Sequence, residues 1–149
     1  MGLKERLRED LTEAIRSRDG ITSGTIRMVL SAITNEEVSG KSARELTDAE
    51  VITVLSREAK KRREAAEAFD AGARAEKAIL ERAEGEVIAK YLPAQLSDTE
   101  LVQLIHDAIA ETGASGPAGM GVVMKALSPK IAGRADGATV STAVKAALA

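Results

Sequence analysis

The chain has no cysteine and no tryptophan, and only one tyrosine, one phenylalanine and one histidine among its 149 residues. Without cysteine there is no disulfide, no thiolate metal site and no cysteine nucleophile. One histidine cannot build a histidine-rich metal centre, so no metal and no cofactor is expected. With aromatics at 1%, neither a stacking platform for single-stranded nucleic acid nor an aromatic cage for a quaternary ammonium can be assembled. Long apolar runs are also missing, so no segment approaches the ~18 residues that a membrane span needs. Met1-Gly2-Leu3-Lys4-Glu5-Arg6 is charged and leads into no apolar stretch. No export signal or membrane association is expected, and the cytoplasm is the expected compartment. Charge of one sign is lacking too: 21 basic against 23 acidic residues give a net charge of −2. That balance does not describe a stand-alone, tight nucleic-acid binder.

What is present is helical periodicity. Leu3, Leu7, Leu11, Ala14 and Ile15 share one helical face, and Arg18-Asp19-Gly20 predicts a stop on the glycine. Ile26, Val29, Leu30 and Ile33 repeat the pattern in a second helix that ends near Ser39-Gly40. Thr47 with Glu50 is a capping box, and Leu46 with Val51 a hydrophobic staple, so a third helix is expected from Asp48 to Phe69. Asp70-Ala71-Gly72 punctuates it. A fourth helix from Arg74 to Tyr91 would turn Ile79, Leu80, Ala83, Val87 and Tyr91 inward. Gly85 inside it costs ~1 kcal/mol against alanine and suggests a close helix approach.

Pro93 ends that helix. Ser97 with Glu100 is a second capping box, and Leu101, Leu104, Ile105, Ala108 and Ile109 form the inner face of a fifth helix that stops at Thr112-Gly113. Gly116-Pro117-Ala118-Gly119 is expected as a loop. Met120 to Leu127 would be a short sixth helix limited by Pro129. Asp136 is the candidate N-cap of a last helix carrying Val140, Val144, Ala147 and Leu148. Composition shifts at Pro93: 17 of the 21 basic and 18 of the 23 acidic residues precede it. The expectation is an all-α, multihelical protein, with a helical N-terminal subdomain over 1–92 and a small three-helix subdomain over 93–149.

No catalytic constellation emerges. Glu81, Glu84 and Glu86 point in different directions on a helix and read as a charged face. His106 reads as a surface or partly packed histidine, and Met28, Met120 and Met124 as core filler. The Gly-rich stretch from Gly113 to Gly121 has no preceding strand and no following Gly-Lys-Ser/Thr, which excludes a phosphate loop of the nucleotide-binding kind. The feature that remains is the charge run Arg57-Glu58-Ala59-Lys60-Lys61-Arg62-Arg63-Glu64. At about 100° per residue, Glu58 and Arg62 fall on the side of Val51, Leu55, Ala66 and Phe69, while Arg57, Lys60, Lys61 and Arg63 face mostly solvent. Two readings stand side by side. One is a solvated face with a half-buried Glu58–Arg62 pair; the other is a local basic patch for phosphates.

Several segments in order carry a resemblance: Ile26-Arg27-Met28-Val29-Leu30-Ser31-Ala32-Ile33; Lys60-Lys61-Arg62 followed by Phe69 and Arg74; Tyr91-Leu92-Pro93 with Gln95-Leu96; Met120-Gly121-Val122-Val123-Met124; and Gly133-Arg134-Ala135-Asp136-Gly137. With these the chain resembles the GatB/YqeY family, specifically its small stand-alone YqeY-like members. The resemblance implies an all-α fold in two helical subdomains. It also implies kinship with the C-terminal tail of the B subunit of the tRNA-dependent amidotransferase, a tail that helps to hold tRNA. A similar module is appended to some glutaminyl-tRNA synthetases. The family label is carbon–nitrogen ligase with glutamine as amido donor, although no ATP site or amidase triad is visible in this chain. Expected partners are therefore tRNA, or an aminoacyl-tRNA synthetase or amidotransferase that the chain serves as a protein adaptor. Carried over by position, Arg134 is a candidate RNA contact, with Lys125 and Lys130 near it in sequence. Where related sequences often carry lysine after Met-Gly, this chain has Val122.

Overall fold

Two capping boxes and two aspartates open four of the seven helices, as the local chemistry dictates. Thr47 and Glu50 exchange hydrogen bonds at the start of α3 (Asp48–Ala71), and Ser97 and Glu100 do the same at α5 (Asp98–Thr112). Asp136 accepts from the Thr139 N–H at 3.2 Å and opens α7 (Gly137–Leu148). The other helices are α1 (Leu3–Arg16), α2 (Gly20–Glu37), α4 (Ala75–Ala89) and α6 (Met120–Ile131), with a single 3-10 turn at Pro117–Gly119. The computed structural model describes all residues, 1–149, and contains no strand. The fold is all-α. The chain divides into two units, Met1–Leu92 and Pro93–Ala149.

In the first unit, Leu7 of α1, Ile26, Val29 and Ile33 of α2, Val51, Val54 and Leu55 of α3, and Val87 and Ile88 of α4 form one core, closed by Leu46 and Tyr91. Leu46 and Val51, the staple residues, are both in it. Glu37 ties three segments together. Its carboxylate accepts from Lys4 Nζ at 2.8 Å and from the Leu46 N–H at 3.1 Å, with both side chains largely out of solvent. Those two bonds hold its carboxyl below the usual range, Lys4 being the larger cause. In the second unit, Leu101, Ile105 and Ala108 of α5 meet Val123, Leu127 and Ile131 of α6 and Val140, Val144 and Leu148 of α7.

Five expectations about the helices and their faces need correction. Gly20 does not stop α1: Arg18 takes the left-handed conformation (φ 59°), and Gly20 opens α2 behind the Asp19 cap, whose side chain accepts from the Thr22 N–H at 3.0 Å. An Asx cap three residues after the end of α1 restarts a helix sooner than a glycine stop allows. Ile79 and Leu80 do not point inward. They are 66% and 46% exposed, because the side of α4 that meets α3 carries Ala78 and Gly85 instead. A methyl at Gly85 would lie 3.7 Å from Arg62 Cβ, ordinary contact, so no close approach demands the glycine. Pro129 does not limit α6: it lies in the last turn, and the helix continues to Ile131, which is buried in the second core. Ala147 is exposed, outside the line of Val140, Val144 and Leu148. A glycine that packing does demand is Gly119, where a Cβ would fall 2.8 Å from that of Ala114.

Candidate nucleic-acid interface

The cationic run lies in the middle of α3. The Thr47–Glu50 box fixes where the helix starts, and Val51, Val54 and Leu55 fix which side faces the core. Arg57, Lys61 and Arg63 are therefore exposed and Lys60 is half-buried. Arg57 meets Glu36 of α2 at 3.2 Å. Arg63 is exposed, with no carboxylate within ion-pair distance. Glu58 is only 6% exposed. Its partner is not the expected Arg62 but Lys61, at 3.0 Å. Arg62 instead reaches across to α4, where it meets Glu81 at 3.2 Å and Glu84 at 3.3 Å with 20% of its side chain exposed. Spacing on one helix cannot see the carboxylates that a neighbouring helix brings, and two of them outbid one. The network is incompletely satisfied: Arg62 Nε and Glu81 Oε2 are buried without a hydrogen bond, which costs part of what the ion pairs contribute.

Beyond the core, α3 and α4 continue as an antiparallel pair. Their buried side chains there are small, Ala66 and Ala78. Arg82 pairs with Asp70, and Lys77 sits 5.6 Å over the Phe69 ring. Exposed Glu64 and Glu67 are interspersed with the cations, so the surface is mixed in sign.

The remaining candidate residues belong to the second unit. Lys125 is exposed, and Lys130 pairs with Glu111 at 3.6 Å. Arg134 is engaged within its own unit. Its Nε donates to the Ala94 carbonyl at 2.9 Å, and its own carbonyl accepts from the Leu96 N–H at 2.9 Å. Gln95 adds a bond to the Gly133 carbonyl at 2.8 Å. The Gly-Arg-Ala-Asp-Gly turn thus holds the segment before α5 as well as capping α7. His106 is exposed, and no three His, Cys, Asp or Glu residues are grouped to hold a metal ion.

Two clusters have no signal in the sequence. Arg44 makes a two-pronged bond to Glu50, at 2.8 and 3.0 Å. That bond first, and the Thr47 N–H second, hold the Glu50 carboxyl down at about 2. The second cluster is Tyr91, whose hydroxyl donates to Asp10 while Arg6 lies 4.9 Å over its ring. Burial first, then the Asp10 carboxylate, pushes the phenol well above its ordinary value. These pairs join residues 6 and 81 positions apart. Neither fits a helical repeat, so only the folded chain reveals them.

The architecture is that of an all-α protein in two helical units, with its charge concentrated on the first. The chain belongs to the Yqey-like protein family (YqeY), which it matches over residues 4–148. The family that the motifs suggested is the one found. The chain is also similar to "Altered inheritance of mitochondria protein 41, mitochondrial" of Clavispora lusitaniae (strain ATCC 42720), with 30% identity over 115 residues. That alignment covers 76% of this chain and 66% of the relative, so the chain spans just under two thirds of the relative's length. No helix is long and apolar enough to cross a membrane.

Proposed function

We propose that this chain is a non-catalytic helical module that associates with tRNA, recognising folded RNA through shape and phosphates. The observation that carries this reading is the run of cations on α3 outside its core-facing side, with Arg57, Lys61 and Arg63 exposed and Lys60 half-buried among them. The resemblance of the chain to the tail of the tRNA-dependent amidotransferase supports it, with Lys125, Lys130 and Arg134 as further contacts. The cytoplasm is the compartment this reading implies. Because several of the cations are shared with carboxylates and the net charge is −2, binding is electrostatic, moderate and steeply weakened by salt. Gel-shift of tRNA across a salt series tests it. A complex at low salt that dissolves as salt rises, and that is lost when Lys60, Lys61 and Arg63 are replaced by Glu, is the expected result. The unmodified chain giving no complex at low salt would end the proposal.

A second reading, an adaptor for an aminoacylation or amidotransferase enzyme, draws on Ile79 and Leu80, adjacent and exposed on α4. Pull-down from lysate after nuclease treatment separates the two. Partners that survive removal of RNA favour the adaptor, and their complete loss rejects it.

A further inference from the structure

In the second unit a cleft of about 230 Å³ opens between the first turns of α5 and the turn before α7, lined by Leu96, Glu100, Gln103, Leu104 and Arg134. Its apolar walls are Leu96 and Leu104, both half-buried against the unit's core. Three polar side chains around it have hydrogen-bonding capacity to spare. Arg134 is held in place by its Nε bond to Ala94, and its Nη2 stands 4.0 Å from Glu100 Oε2, too far for a hydrogen bond. Glu100 spends Oε1 on the Ser97 N–H at 3.3 Å, which leaves Oε2 open. Gln103 gives its amide N–H to Asp107 at 2.8 Å and keeps its carbonyl. The cleft thus sets a fixed guanidinium donor beside a carboxylate acceptor, over leucine walls.

We infer that this cleft binds a nucleobase, and among the bases guanine. Guanine presents an acceptor, O6, next to two donors, N1–H and N2–H₂. Arg134 donates to O6, an acceptor that arginine also uses when it pairs with guanine in a nucleic-acid groove. Glu100 Oε2 accepts from N1–H and N2–H₂, and Leu96 and Leu104 cover the ring. Adenine has a lone pair where guanine has N1–H, and uracil places its single N–H between two carbonyls that the carboxylate repels. The inference extends the RNA reading to the second unit, and the base has two possible sources: a free nucleotide, or an unstacked guanine in a single-stranded part of an RNA.

The test is a backbone-amide NMR titration of the full chain with guanosine, adenosine and uridine 5′-monophosphates, with ribose 5-phosphate, and with a single-stranded oligonucleotide containing one guanine. Saturable shifts at Leu96, Gln103 and Leu104 are expected with the guanine nucleotide. Binding should be about ten-fold weaker with the adenine and uracil nucleotides, the scale of discrimination that one well-placed pair carries, and absent with ribose 5-phosphate. Glu100→Gln keeps the helix cap, since glutamine also serves a capping box, and should lower guanine affinity by about ten-fold. Leu104→Ala should weaken all bases alike. Oligonucleotide shifts at the same amides identify RNA as the source, and shifts with the mononucleotide alone identify the free nucleotide. No saturable shift at these amides, equal shifts with ribose 5-phosphate, or unchanged affinity in a folded Glu100→Gln protein would overturn the inference. Retention of tRNA on α3 with this cleft silent would defeat the inference and spare the proposed function; guanine binding without tRNA binding would do the reverse.

Discussion

Where α3 and α4 join the rest of the first unit, Val51, Val54, Leu55, Val87 and Ile88 are buried together with Ile26, Val29 and Ile33 of α2. Farther along the same two helices the buried side chains are Ala66 and Ala78, and the polar partners are Arg62 with Glu81 and Glu84 and Arg82 with Asp70. Full burial of a branched aliphatic side chain contributes about 1.5–3 kcal/mol, whereas a methyl contributes about 0.8 kcal/mol. One pair of helices is therefore anchored by hydrophobic burial at one end and held by charge at the other. The charged end is the one that salt reaches, and its small buried side chains predict the lower local stability.

The largest way to break this contrast is Leu55→Ala. Leu55 is fully buried at the anchored end, and the cavity should cost about 2–5 kcal/mol in denaturant unfolding followed by helical circular dichroism. A loss below 1 kcal/mol would show that the anchor is not there. Next is Arg62→Ala, which leaves Glu81 and Glu84 facing each other without their cation. A cost of about 1–3 kcal/mol is expected for a pair this far out of water. Hydrogen exchange should place the loss in residues 59–86 and leave the amides of α2 protected. Uniform loss across the unit would contradict the division into two ends.

Acid should act on the anchored end. Glu50 is held at about 2 by Arg44 and then Thr47, against an ordinary value of 4.5. A folded-state value below the unfolded one contributes stability that is present above about 4.5 and lost as pH falls from there toward 2. Thermal midpoints should drop through that window, and Glu50→Gln should flatten the drop; an equal slope in the variant would rule this linkage out. The smallest effect belongs to Ile79→Ser, within about 0.5 kcal/mol, because an exposed side chain buries little. A loss of 2 kcal/mol there would mean that the isoleucine is covered.

These contrasts also show which parts of the molecule the sequence discloses. Capping chemistry is local, so Thr47, Ser97 and Asp136 mark helix starts without knowledge of the fold. The stripe from Leu80 through Val87 to Tyr91 is legible as a stripe. Periodicity does not tell whether anything covers it, and α2 reaches Val87 but leaves Leu80 open. Glu58 and Arg62 are correctly read as facing inward, yet their partners depend on α4 and on Lys61. At the candidate interface the identity of the cations is sequence information. Their pairing, and the cleft beside Arg134, are products of the folded chain.

With no tryptophan and a single tyrosine, the protein carries one natural optical reporter above 270 nm, and it sits in a defined place. Tyr91 lies two residues past the end of α4 and is buried against α1, with Asp10 on its hydroxyl and Arg6 over its ring. Near-ultraviolet dichroism and tyrosine emission therefore follow the opening of that one seam in the first unit. Far-ultraviolet signals average over all seven helices. A disagreement between the two during melting would time the release of Tyr91 from α1 without any label being introduced.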